Sequence, residues 1–153
     1  MVIYRAFGAA DALSVGRRLA RLAHRRGLVF LFGADPALAA AVGADGVHLP
    51  ERDAARAADL RRRRPRWLVT AAAHSPAAIV AAHRAGADAV FVSPVFASAS
   101  ASAGRPLGVL RFAAMARGAG APVYALGGVN ARTARRLSRS GAAGLAAVEA
   151  FVD

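Results

Sequence analysis

Seven short apolar runs recur along the chain, and most are continuous rather than alternating. They are VIY (2–4), LVFLF (28–32), GVHL (46–49), WLVTAAA (67–73), AVFVSPVF (89–96), VYALGG (123–128) and GLAAVEAF (144–151). An alternating run suits a sheet with one wet face. A continuous run is buried on both faces, as in parallel strands covered by helices. Between the runs lie helical segments at about 11–26, 35–42, 52–63, 76–85, 106–118 and 130–140. Three have explicit starts: Asp35-Pro36 and Ser75-Pro76 place a capping side chain before proline, and Asn130 caps a helix beginning at Ala131. One pattern returns three times, in AVGADGVHLP (41–50), RAGADAVFVSP (84–94) and RSGAAGLAAVEA (139–150). Each time a glycine closes a helix and a short loop feeds a strand. The order is therefore strand–helix repeated, without a long linker or a break in composition. It implies a single α/β domain over 1–153, either a (β/α)-barrel or an open doubly wound sheet. No GxGxxG follows the first run, which weighs against a dinucleotide-binding sheet.

Composition narrows the function classes. The chain has 153 residues and no cysteine, so disulfides and cysteine-ligated metals are excluded. No apolar run approaches the ~18 residues of a membrane span. The opening MVIYRAFGAAD lacks the basic and apolar regions of a signal peptide, so a soluble, cytoplasmic protein is expected. Net charge is +12, and all 21 basic residues are arginine. Arginine can clamp phosphates, which raises nucleic-acid binding as a hypothesis. However, Arg17, Arg18, Arg21 and Arg25 fall at helical spacing, as do Arg132, Arg135, Arg136 and Arg139. Both sets lie opposite apolar positions such as Leu19, Leu22 and Leu137, which is the pattern of solvated helix faces. The denser run Arg61 to Arg64 plus Arg66 has only Trp67 as a nearby aromatic. No recognition motif accompanies the charge, so the solvated-face reading prevails over nucleic acid as the main partner.

The reactive groups of a barrel stand at the C-terminal ends of its strands. His74 stands there, just after WLVTAAA, and suits acid/base work near neutrality. His48, at the end of GVHL, can line the same mouth, although a structural role is as well supported. His24 and His83 fall within helices and read as surface residues. In YALGGVN (124–130), a strand runs into Gly127-Gly128, whose backbone N–H groups can cradle a phosphate; a tight turn that simply needs glycines is the other reading. The start of the segment near Val148 would complete that site from the next strand end. The loop Gly104-Arg105-Pro106-Leu107-Gly108 adds a flexible, cationic approach, and ASASASAGRP (97–106) is the one candidate for a mobile loop.

Taken together, these blocks resemble the family of thiamine phosphate synthase and its relative, the TenI-type thiazole tautomerase. The resemblance runs from about Arg5 to Phe151. AVGADGVHLP is similar to the family's stretch after its third strand, and AHSPAAIVAAHRAGADAVFVSPVF to its S-x-H-S…GADYV…GPVF block. APVYALGGVN resembles IPVVAIGGI, and SGAAGLAAVEAF resembles AGADGVAVMSAI. The resemblance implies a phosphate-binding (β/α)8, TIM-barrel-like fold acting on a thiazole phosphate in thiamin biosynthesis. It implies an acid/base role for His74, phosphate contacts at Gly108, Gly127, Gly128, Val148 and Glu149, and substrate contacts at Arg5, His48 and Ser93. It also implies that a first strand–helix unit and a last helix are missing here, with the true start upstream of Met1.

The departures decide between the two activities. The synthase's Asn-Asp pair, which helps hold magnesium and pyrophosphate, corresponds to Gly33-Ala34. Asp35 is adjacent, but capping before Pro36 explains it. The second acidic ligand corresponds to Asp53, in Pro50-Glu51-Arg52-Asp53. The synthase's lysine corresponds to Ala101 and its serine before the histidine to Ala72. Separating pyrophosphate from a carbocation needs metal and cations, and most of that equipment is absent. Moving a proton around a thiazole needs neither. The expected activity is therefore tautomerase-like, with no cofactor, and with magnesium at Asp53 only under the synthase reading. Glu149 replaces a serine beside the phosphate and would repel it unless it turns away or pairs with Arg105 or Arg5. A degenerate relative that only binds a phosphorylated ligand or a protein partner is the alternative, and a homo-oligomer stays open.

Overall fold

The computed structural model describes residues 1–98, 100 and 104–148. Seven strands form one parallel sheet in sequence order: β1 (Val2–Tyr4), β2 (Phe30–Gly33), β3 (Gly46–Leu49), β4 (Leu68–Ala73), β5 (Ala89–Val92), β6 (Val123–Ala125) and β7 (Gly144–Leu145). Helices α1 (Ala12–Arg25), α2 (Pro36–Val42), α3 (Ala57–Arg63), α4 (Pro76–Arg84), α5 (Gly108–Arg117) and α6 (Ala131–Ala134) fill the crossovers. A parallel neighbour order of one to seven, each pair joined by a helical crossover, is the TIM-barrel-like arrangement, not a doubly wound one. Seven strands of the eight-strand pattern are described. Glu149 lies outside the described residues, as do Ala101 and part of the 97–106 loop.

Strands β2, β3 and β5 are buried along their whole length. Alternate strand residues divide between two faces. Phe30, Phe32, Val47, Leu49, Val69, Val90, Val92 and Val123 pack with Ile79 and Phe112 of the helices in one apolar core. The other face carries Gly33, His48 and Thr70, which the strand register places side by side. His48 meets Phe91 edge-on at 5.2 Å, and Phe91 stacks on Tyr124 at 5.0 Å. The inner face thus holds an aromatic belt with one histidine at its end.

The thrice-repeated glycine pattern has a common geometry. Gly43, Gly86 and Gly141 all have left-handed φ. Two residues on, the N–H groups of Asp45, Asp88 and Ala143 donate to Phe30, Val69 and Val123 carbonyls at 2.9, 2.7 and 2.8 Å. In the first two repeats the Asp carboxylate then accepts the N–H of that same neighbouring residue, at 2.8 Å for Phe30 and 2.7 Å for Val69. The third repeat has alanine there and keeps only the backbone bond.

The helix starts at Asp35, Ser75 and Asn130 are as expected, each side chain accepting from the first turn. Other helical details differ. The segment expected at 52–63 begins as a 3-10 turn, Glu51–Arg56, because Asp53 N–H bonds back three residues to the Pro50 carbonyl. The one expected at 130–140 is a single α-turn followed by a 3-10 turn, Arg135–Leu137, and the Ser140 hydroxyl closes it on the Leu137 carbonyl at 2.7 Å. On α1 the arginines face outward, but the buried stripe is Ala12, Gly16, Ala20 and Ala23, and Leu22 stays 43% exposed. The helix lies so close that a Cβ on Gly16 would sit 2.8 Å from Val42 Cγ1. Small residues, not leucines, make that contact. The arginine run is engaged locally: Arg62 and Arg63 pair with Asp59, Arg61 with Asp88, and Arg64 lies over Trp67. Among the described residues no helix is long and apolar enough to cross a membrane.

Candidate active site

The C-terminal ends of the strands surround a cavity of about 500 Å³. Arg5 reaches it from just past β1, Ala34 from β2, His48 and Glu51 from β3, and Ala72 and His74 from β4. Ser93 follows β5, Gly127 and Gly128 follow β6, and Val148 follows β7. The fold therefore gathers most residues singled out from the sequence. Two are not brought in. Gly108 opens α5 with its N–H bonded to the Val95 carbonyl at 2.9 Å, and it does not line the cavity. Asp53 lies in the 3-10 turn beside Arg52, 3.9 Å away, also outside the lining.

His74 follows directly on β4, where Ser75 and Pro76 start α4 and fix the chain's exit. Its backbone N–H donates to Glu51 Oε2 at 2.7 Å, and its ring Nδ1 meets the same oxygen at 2.8 Å. A carboxylate only accepts, so Nδ1 carries the proton and Nε2 is left as the basic atom. The pair is half exposed, so its contribution is orientation more than stability. Glu51 was not singled out from the sequence. Its signal was there: an acid opening the segment after GVHL, at a strand end, two residues before the acid that drew attention.

His48 is the opposite case. It is 9% exposed, and its Nδ1 lies 2.9 Å from the Oγ1 of the fully buried Thr70. Burial, and then the Arg5 charge, lower its pKa to about 4, so the ring is neutral at physiological pH. Thr70 also escaped the sequence reading, although it is the lone hydroxyl in an otherwise apolar strand. Arg5 itself is exposed, its guanidinium 4.5 Å from the Phe7 ring centre.

Gly127 and Gly128 have φ of +90° and +62°. A Cβ on Gly127 would sit 2.8 Å from Pro94 Cα, and one on Gly128 2.8 Å from Phe96 Cβ. The turn is pinned to the segment after β5 by bonds from Val95 N–H to the Leu126 carbonyl and from Phe96 N–H to the Gly127 carbonyl. Glycine is thus required for the backbone path and for packing. The same path leaves the N–H groups of Gly127, Gly128 and Val129 without a protein acceptor among the described residues, at the cavity wall. Both sequence readings of this turn are compatible with its geometry.

Residues 1–151 match the family described as thiamine monophosphate synthase. The chain belongs to that family. A relative from Aquifex aeolicus is 34% identical over 76% of this chain and 62% of its own length. The thiamine-phosphate synthase of Thermus thermophilus is 34% identical over 95% of this chain and 70% of its own, and that of a Synechococcus strain 32% over 99% and 44%. The chain thus spans from under half to about two thirds of the length of these relatives. Among solved structures, thiamine phosphate pyrophosphorylase from Pyrococcus furiosus superposes with a TM-score of 0.82 at 26% identity, covering 95% of this chain and 70% of that one.

Membership of the thiamine monophosphate synthase family brings magnesium into question. The donor set of the described residues does not fit it. Ala34 stands at the rim where the synthase pattern has an acid, Asp53 is outside the lining, and the Glu51 oxygen is held by His74. Among the described residues no three His, Asp or Glu side chains group closely enough to hold a metal.

Proposed function

We propose that this chain acts in thiamin biosynthesis by phosphate-anchored proton transfer on a thiazole phosphate, in the cytoplasm, rather than by synthase coupling. The observation that carries this reading is the Glu51–His74 pair lining the same cavity as three backbone N–H groups that have no acceptor among the described residues. The Gly127–Val129 amides anchor the phosphate and Arg5 supplies positive charge. His74 Nε2 takes a ring-adjacent proton and returns it at another atom, which needs no metal and no redox partner. Coupling to a pyrimidine pyrophosphate would instead need leaving-group neutralisation that Ala34 and Ala72 do not provide.

The test is isomerisation of a thiazole phosphate by purified protein, followed by NMR in deuterated water. Ring-proton exchange coupled to tautomer conversion supports the reading. Magnesium-dependent thiamine phosphate formation instead would replace it. A second reading is a relative that binds the phosphorylated ligand without turnover, keeping the turn amides of the cavity while Ala34 and Ala72 leave its rim without the synthase's polar groups. Binding in titration with no proton exchange would select it.

A further inference from the structure

The cavity holds two histidines, and their partners are of opposite chemical character. Glu51 can only accept, which fixes the His74 proton on Nδ1 and leaves Nε2 as a lone pair. Thr70 can donate. Its Oγ1 is fully buried, and among the described residues its hydrogen-bond partner is His48 Nδ1 at 2.9 Å. A buried hydroxyl proton left unpaired is costly, so it points at Nδ1. The His48 ring proton then sits on Nε2.

No protein group bonds to His48 Nε2 among the described residues, yet no buried side-chain polar atom there lacks a partner. Nε2 is therefore accessible, and the accessible space His48 borders is the cavity. The edge-on contact with Phe91, itself stacked on Tyr124, holds the ring plane. Burial, and then the Arg5 charge, keep the ring neutral.

We propose that Glu51 and Thr70 set the two histidines in opposite tautomers, making His74 Nε2 the base and His48 Nε2–H the fixed donor that stabilises the charge the base creates. This deepens the proton-transfer reading above and rests on it. In the step, a substrate C–H proton moves to His74 Nε2, giving an imidazolium paired with Glu51. The electrons of the C–H bond move into an adjacent C=N or C=O group, whose heteroatom becomes negative. His48 Nε2–H bonds to that heteroatom without surrendering its proton. His74 then delivers its proton to a different atom of the same conjugated unit. The product is an isomer, and no electrons leave. The substrate class is accordingly a phosphorylated molecule with an acidic C–H beside C=N or C=O. Glu51 and Thr70 are positioning residues in this scheme, and His48 is a second catalytic residue.

Ring nitrogen shifts of ¹⁵N-histidine-labelled full chain test the assignment without any substrate. His74 protonated on Nδ1 and His48 on Nε2 is the expected result; His48 protonated on Nδ1 would overturn the proposal. Glu51→Ala should convert His74 to a tautomer mixture, and Thr70→Val should do the same for His48. If Thr70→Val does not fold, the wild-type spectrum still decides. In turnover, His48→Leu should lose about a hundredfold in kcat with KM little changed, the scale of removing one charge-stabilising donor. His48→Gln, which keeps an N–H near the Nε2 position, should recover most of that loss. Equal kcat for His48→Leu and wild type would sink the donor role. Wild-type protein with the stated tautomers and no thiazole turnover would count against the functional reading instead.

Discussion

Asp88, at the entrance to β5, accepts the backbone N–H of Val69 on β4 at 2.7 Å, one strand away. Asp45 does the same for Phe30 at 2.8 Å. Each carboxylate supplies an acceptor at the first residues of a strand pairing, where a buried N–H would otherwise be left over. Asp88→Ala is expected to destabilise the protein by about 1–3 kcal/mol, the cost of an unsatisfied group at a partly buried site. Asp88→Asn keeps an acceptor and should cost less. Urea unfolding of the two variants reads the difference, and equal losses would mean that charge rather than the hydrogen bond matters.

Gly128 should tolerate no side chain. Its φ of +62° disfavours any L-residue, and a Cβ would press on Phe96 at 2.8 Å. Gly128→Ala is expected to lose more than about 1 kcal/mol of stability and to weaken inorganic phosphate binding by moving the turn's N–H groups. Calorimetric titration with phosphate checks the second effect. Unchanged phosphate affinity in a folded variant would remove this turn from the anion site.

The strand–helix order was legible because continuous apolar runs and capping residues are local signals. The position of His74 and Gly127-Gly128 at the cavity was legible because strand ends in such a fold are where side chains and amides converge. What escaped depended on distances no local pattern carries. Glu51 matters only because β3 and β4 bring it to His74, and Thr70 only because the register sets it against His48. On α1, Leu19 packs against the core as expected, and only Leu22 was misread. Leu22 has the hydrophobicity of a core residue, but α1 turns Ala12, Gly16, Ala20 and Ala23 inward, with Leu19 packed beside the core, and leaves Leu22 outside.

His48 makes stability pH-dependent in a defined window. Its folded pKa of about 4 lies below the unfolded value of 6.5, so between these values the unfolded chain holds more protons than the folded one. Stability from this group is present above the unfolded value and is lost as pH falls toward 4. The loss is at most roughly 3.5 kcal/mol, on the scale of about 1.4 kcal/mol per pKa unit. His48→Gln removes the titration, so the wild-type curve of stability against pH should converge toward that of the variant as pH falls from 7 to about 4. Parallel curves across that range would mean that His48 takes up a proton in the folded state as readily as in the unfolded one.

His74 gives the direct catalytic prediction. Its Nε2 is the basic atom of a side chain that lines the same cavity as Gly127 and Gly128, so His74→Ala should lower thiazole phosphate isomerisation by about a hundredfold or more, the usual contribution of acid/base catalysis. Phosphate affinity should change little, because the anchoring amides belong to the turn after β6 and not to β4. The same preparation should form no thiamine phosphate from a pyrimidine pyrophosphate with magnesium, since Ala34 and Ala72 supply nothing to hold the leaving group. Parallel assays of the two reactions on wild type and His74→Ala settle both points. Isomerisation that survives in His74→Ala removes this histidine from the chemistry, and coupling by the wild type restores the synthase.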